Sequence, residues 1–156
     1  MKILVLSDSH ASLRYMRYAI DGVKPDAVVH LGDYFSDGQT MAEEYPSIPF
    51  YAVPGNCDQY RGYISEPGTK IITLGGVKIM ITHGHYHHVK SDLCSLLRDA
   101  RASKVQMVLF GHTHISYCEQ EEDGLWVLNP GSCGYGGGSA GLVEVADGKV
   151  LSCRLL

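Results

Sequence analysis

Five short polar clusters carry the residue types that could do chemistry. They are Asp8-Ser9-His10, Gly32-Asp33, Gly55-Asn56-Cys57-Asp58, Thr82-His83-Gly84-His85 and Gly111-His112-Thr113-His114. Each donates a hard oxygen or an imidazole nitrogen. That donor mixture suits Mn²⁺, Fe or Zn²⁺ better than Ca²⁺ or a thiolate site. A single D-x-H or H-x-H arises often by chance. Five such clusters in one chain are a far more specific signal.

Each cluster follows an apolar run short enough to be a buried strand. The runs are 3–7, 27–31, 49–53, 77–81 and 106–110. Ligands of α/β sheets bind beyond the carboxyl ends of the strands, so the clusters can converge on one site. Between the first two runs, Leu13, Met16, Ile20 and Val23 recur at helical spacing, with Ser12 as the expected N-cap. Strand, helix and strand in this length form a βαβ unit with parallel strands. Residues 34–47 read as polar and turn-rich, with a turn or two of helix near Thr40–Glu44, and residues 57–68 as an exposed loop. Gly75-Gly76 joins 71–74 to 77–81 as a β-hairpin, and Asp147-Gly148 joins 141–145 to 150–155. A second long helix is expected from Val89 through Leu93, Leu96 and Leu97 to Ala100. Strands are also expected at 115–120 and 125–128, with the last third mostly antiparallel. The chain reads as one α/β domain, 1–156, containing two packed sheets.

Composition narrows the partners. The formal net charge is −4, so the basic footprint needed to grasp long nucleic acid is missing. No apolar run could span a membrane, and the N-terminal run is too short for a secretory signal. The five cysteines are odd in number and contain no C-x-x-C pair. They read as free thiols in a reducing, cytoplasmic setting rather than a disulfide framework. Oligomeric state is unread beyond the general prior for a homodimer.

The ordered blocks D-x-H, G-D, G-N-x-D, H before G, and G-H-x-H resemble the calcineurin-like metallophosphoesterases, over residues 1–135. The Gly-Asn-Cys-Asp block is similar to that of a small bacterial and archaeal phosphodiesterase branch. The resemblance implies two mixed β-sheets packed face to face and flanked by helices. It also implies two divalent cations, Mn²⁺ as first choice with Fe, Ni²⁺, Zn²⁺ or Co²⁺ as alternatives. Asp8, His10 and His114 would bind the first, Asp33 would bridge, and Asn56, His83 and His112 would complete the second. The implied reaction is hydrolysis of small phosphate esters, chiefly diesters, by a metal-bridging hydroxide attacking phosphorus. Asn56 would also orient the phosphate, Asp58 would hold a neighbouring ligand, and His85 would contact substrate or help the leaving group.

Two positions depart from the family. Many relatives carry a leaving-group His after the Asn; here Cys57 stands there. Asn129-Pro130-Gly131-Ser132 is followed by Cys133-Gly134-Tyr135 rather than Pro-Arg. Other residues have plainer readings. His30 lies inside a strand as a hydrogen-bonded structural residue, and His87 and His88 are expected in solvent. Tyr34 and Asp37 shape the pocket or face water, while Tyr15 and Tyr18 pack in the core and at its rim. The alternative function is a non-enzymatic protein-interaction scaffold, a use of this fold in a eukaryotic retromer subunit that has lost key histidines.

Overall fold

The computed structural model describes residues 1–61 and 65–156. Among these residues, ten strands form two five-stranded sheets. The first contains β1 (Lys2–Leu6), β2 (Ala27–His30), β3 (Phe50–Ala52), β9 (Gly141–Ala146) and β10 (Lys149–Leu155), in the order β10-β9-β1-β2-β3. The second contains β4 (Thr69–Leu74), β5 (Val77–Thr82), β6 (Met107–Leu109), β7 (Tyr117–Gln120) and β8 (Trp126–Asn129), in the order β4-β5-β6-β8-β7. Three helices cover them: α1 (Leu13–Val23), α2 (Phe35–Glu44) and α3 (Cys94–Ala102).

Side-chain alternation decides the layering. Successive strand residues point to opposite faces. Ile3 and Val5 therefore face the inter-sheet core with Val29, Ile79, Ile81, Leu109 and Val143. Leu4 and Leu6 face outward, where Met16, Ala19 and Ile20 of α1 and Met41 of α2 cover them. On the far side, Leu96 and Ala100 of α3 pack on Met80, Val108 and Val127. Both faces of the central strands are thus buried, which explains their unbroken apolar runs. Each fully buried Leu, Ile or Val contributes about 1.5–3 kcal/mol.

The strands that matter for the site run in one direction. β1, β2 and β3 are mutually parallel, as are β5, β6 and β8. Both glycine-containing hairpins form as expected, with left-handed φ at Gly75, Gly76, Asp147 and Gly148.

Several local expectations are corrected. α2 spans ten residues rather than a turn or two, entered from Tyr34 in a left-handed conformation (φ 77°). α3 starts at Cys94 instead of Val89, because the Asp92 carboxylate accepts the Cys94 N–H at 2.8 Å and begins the helix there. Val89 is buried, but from a turn. Ser12 makes no side-chain cap. The expected exposed loop 57–68 begins as a 3₁₀ turn, Asn56–Arg61, with Asp58 fully buried; its residues 62–64 lie outside the described residues. In the last third, β8 joins β6 in parallel, while β7 and β10 pair antiparallel to their neighbours. His87 is buried and faces Asp99 at 3.6 Å; only His88 is exposed.

His30 is fully buried, and its Nε2 meets the Ser9 hydroxyl at 3.1 Å. Burial pushes its pKa down to about 4. The unfolded chain binds that proton near pH 6.5 and the folded chain does not. His30 therefore favours folding above pH 6.5, and that contribution fades as pH falls toward 4. Urea denaturation of wild type and His30→Gln checks this. The stability gap between them narrows by roughly 3 kcal/mol from pH 7 to pH 4. A gap that does not change with pH rejects the assignment.

Candidate functional site

Parallel strands place their carboxyl ends together, and the polar clusters occupy those ends. Asp8 follows β1, Asp33 follows β2, Asn56 follows β3, His83 follows β5, and His112 and His114 follow β6. Several polar contacts join the sheets here, two of them hydrogen bonds between the strand ends. His83 Nδ1 meets the Leu31 carbonyl at 2.7 Å, and the His112 N–H donates to Asp8 Oδ2 at 3.1 Å. Gly55 and Gly111 let the clusters close up. A Cβ on Gly55 would lie 2.2 Å from Asp33 Oδ1, and one on Gly111 would lie 2.0 Å from Ser7 Oγ.

The seven residues expected to bind metal come together. Asp8, His10, Asp33 and His114 form one group, and Asp33, His83 and His112 a second; within each, the potential ligand atoms lie within 4.8 Å of one another. Asp33 belongs to both. Its Oδ2 lies 3.8 Å from His10 Nε2, and its Oδ1 lies 3.5 Å from His83 Nε2. His114 Nε2 is 3.1 Å from Asp8 Oδ1 and 3.4 Å from His10 Nε2. Asn56 Oδ1 and His112 Nδ1 approach His83 Nε2 at 3.1 and 3.2 Å.

The electrostatics test whether cations fit this set. Asp8 is fully buried, and its Oδ2 takes hydrogen bonds from Ser7 and His112. Its Oδ1 is buried and accepts no hydrogen bond, with the His114 ring nitrogen close by at 3.1 Å. Burial raises its pKa. An orphaned buried carboxylate oxygen is costly without a compensating charge. Burial pushes His83 down to about 3; for His112, burial first and then Lys90 lower it to about 4. Both imidazoles are therefore neutral at pH 7, the form that binds metal. With Nδ1–H donated to Leu31, His83 turns a bare Nε2 toward the group. Burial works to raise Asp33, yet His83, the Cys57 N–H and thiol, and His10 together hold it below the ordinary carboxylate value. The donor set and the orphaned oxygen fit divalent cations.

The backbone is also bent to the purpose. Asp8, His10, Asp33, His112 and His114 all hold left-handed φ angles between 46° and 68°. Such conformations are disfavoured for non-glycine residues and gather at functional sites.

Supporting residues hold these turns. Asp58 accepts the N–H groups of Gly55, Tyr34 and Phe35 at 2.7, 3.0 and 2.8 Å, linking the Asp33 and Asn56 loops. Asp37 is buried rather than facing water, and it accepts from the Ser9 hydroxyl and the Ala11 N–H. Two braces were missed in the sequence. Asn129 Nδ2 donates to the Gly111 carbonyl and to Thr113 Oγ1, both at 2.9 Å, shaping the His112–His114 turn. Ser132 Oγ donates to the Asp8 carbonyl at 2.7 Å. Their signal was a polar Asn closing the apolar run 125–128.

Cys57 Sγ donates to Asp33 Oδ2 at 3.3 Å, and burial pushes this thiol up to about 11. It is a neutral packing group on Asp33. His85 Nε2 meets Gln59 Nε2 at 3.2 Å, beside a cleft of about 180 Å³ that Gly55, Gln59 and Tyr86 also line. Tyr34 and Tyr135 set their rings 5.4 and 5.0 Å from that of His10. A larger cleft of about 510 Å³, between Arg101 and Trp126, lies at the opposite ends of β6 and β8. It contains none of the convergent donors, so the site is placed by ligand chemistry and not by cavity size.

Replacing Asp58 by Ala leaves three N–H groups without their acceptor. A loss of about 2–4 kcal/mol is expected, read as a lower urea midpoint, with partial recovery in Asp58→Asn. A loss below about 1 kcal/mol contradicts the bracing role.

Known proteins resemble this chain in sequence and fold. The profile of the calcineurin-like phosphoesterase superfamily domain matches residues 1–148. A probable metallophosphoesterase of Bacillus subtilis is 30% identical over 135 residues, covering 85% of this chain and 75% of its own. A phosphodiesterase of Methanocaldococcus jannaschii is 31% identical over 147 residues, covering 85% and 84%. Among solved structures, a predicted phosphoesterase from Streptococcus pneumoniae superposes with a TM-score of 0.78 at 28% identity, over 99% of this chain and 88% of that one. Vacuolar Protein Sorting 29 from Cryptosporidium parvum superposes at 0.73 with 19% identity, over 99% and 96%, a likeness of fold alone.

Proposed function

Because the chain belongs to the calcineurin-like phosphoesterase superfamily, we propose that it is a metal-dependent hydrolase of small phosphate esters with a preference for diesters. The observation that carries this reading is the Asp33 carboxylate, which turns one oxygen toward His10 and the other toward His83. We assign Asp8, His10, Asp33 and His114 to one cation, and Asp33, Asn56, His83 and His112 to the other. Two divalent cations, Mn²⁺ foremost, supply Lewis acidity and a nucleophile available near neutral pH.

The chain's own residues do the rest. Asp33 sets the spacing between the two ligand groups. The Leu31 carbonyl fixes the His83 tautomer, so the ring presents its bare nitrogen. Asn56 offers its amide N–H groups to a phosphoryl oxygen while its Oδ1 faces His83. Asp58 keeps Asn56 and Asp33 in register. Cys57, a thiol of pKa about 11, is a poor proton donor at neutral pH. His85 lies at the edge of the cleft, but burial lowers its pKa, so as a neutral imidazole it gives the departing group little acid help. Weak acid assistance favours substrates whose leaving groups need little protonation, which supports activated esters and diesters. The relative in Methanocaldococcus jannaschii is itself called a phosphodiesterase, which supports the same preference.

The likeness to Vacuolar Protein Sorting 29 motivates a second reading, a protein-interaction scaffold. The complete set of candidate ligands in this chain favours the hydrolase. No helix among the described residues is long and apolar enough to cross a membrane.

The deciding assay strips the protein with chelator, restores Mn²⁺, and compares bis-p-nitrophenyl phosphate with p-nitrophenyl phosphate. Hydrolysis is expected only with metal, faster for the diester, and reduced about 100-fold or more in His112→Ala. A folded protein that turns over neither substrate with any of Mn²⁺, Fe²⁺, Ni²⁺, Zn²⁺ or Co²⁺ favours the scaffold.

A further inference from the structure

The two sheets meet again at the edge away from β3 and β4. There β7 closes one sheet and β10 closes the other, and the two strands touch. Cys118 of β7 lies opposite Leu128, and Cys153 of β10 lies opposite Val143. Directly opposed residues share a face of their sheet. Leu128 and Val143 are both fully buried in the inter-sheet core, and both cysteines pack against that core. Their sulphurs lie 3.0 Å apart.

We propose that Cys118 and Cys153 are a modification site: a dithiol that closes to a disulfide linking the two sheets on contact with a small disulfide oxidant. A disulfide has sulphurs about 2.05 Å apart, so closure needs a movement of only about 1 Å. Inter-sheet disulfides span comparable β-sandwiches in immunoglobulin domains, so the layer separation is no obstacle. Neither sulphur is among the candidate metal ligands. All five cysteines are free in the structure, as expected from their number, and only the folded chain brings this pair together.

The exchange balances without a further reactant. One cysteine, as thiolate, attacks the oxidant's disulfide and releases one thiol from it. The second cysteine then attacks the mixed disulfide and releases the other. Two electrons and two protons pass to the oxidant, which leaves as two thiols. Burial pushes the Cys153 thiol above the ordinary range, which makes exchange slow. Contact between the sulphurs makes the closing step intramolecular, which favours the disulfide over a lingering mixed adduct.

The other thiols differ. Cys57 is held against Asp33, Cys133 is buried, and Cys94 is exposed and open to adduct formation. The test therefore uses the full-length Cys94→Ser protein, whose remaining cysteines are Cys57, Cys118, Cys133 and Cys153. The folded protein is held with excess oxidised glutathione, quenched in acid, unfolded and alkylated. Two of the four thiols should vanish, peptide mapping should join Cys118 to Cys153, and Tm should rise by about 5–10 °C. The further change Cys118→Ser should leave the remaining thiols alkylatable and Tm unmoved by oxidant. Four alkylatable thiols after prolonged exposure, a stable glutathione adduct without closure, or a link between any other pair overturns the proposal. None of these readouts depends on hydrolysis, so they stand apart from the test of the phosphoesterase reading.

Discussion

Among the polar contacts across the sandwich that hold the site's halves in register are two hydrogen bonds: His83 Nδ1 to the Leu31 carbonyl, and the His112 N–H to Asp8 Oδ2. Each sheet alone carries only part of the donor set. Asp8, His10, Asp33 and Asn56 come from the first sheet, and His83, His112 and His114 from the second. Apolar packing sets the distance between the layers but has no directional preference. The two hydrogen bonds add direction, and they align the carboxyl ends of six parallel strands at one edge.

That alignment concentrates groups that do not rest easily together. Imidazole nitrogens face each other at 3.2 and 3.4 Å, a buried carboxylate oxygen has no donor, and five ligand residues hold left-handed backbone. Each feature costs stability in isolation. The proposed pair of cations would satisfy the buried oxygen and the facing nitrogens together. These three features all lie at the ligand turns. Beneath them, the core strands Ile3–Leu6, Val28, Val29, Ile79 and Ile81 are fully buried. Asp58, Asp37, Asn129 and Ser132 then bind the turns to that rigid base.

The ligand clusters were legible because residue type and position coincide. A buried parallel strand needs an unbroken apolar run, and the run must end before the polar donors begin. Asp8, Asp33 and His83 each sit at such a boundary. The hairpins at Gly75-Gly76 and Asp147-Gly148 were legible for an equally local reason, since their turns need left-handed φ. Partner choice was not local and stayed hidden. Nothing near Asn129 announces that it will bond Gly111, and nothing near Asp58 announces Tyr34 and Phe35. The start of α3 was misread because apolar spacing at Val89 and Leu93 continues through a turn, whereas the Asp92 carboxylate sets the boundary. His87 was misread as solvated because its burial depends on α3, which supplies Asp99.

The proposed chemistry rests on Asp33 joining two cation sites. Metal analysis with electron paramagnetic resonance of the Mn²⁺-loaded protein tests that directly. Two Mn²⁺ per chain, with a spin-coupled spectrum that Asp33→Ala abolishes, is the result a bridged centre predicts. One Mn²⁺ per chain, or two that remain magnetically isolated in the wild type, contradicts it.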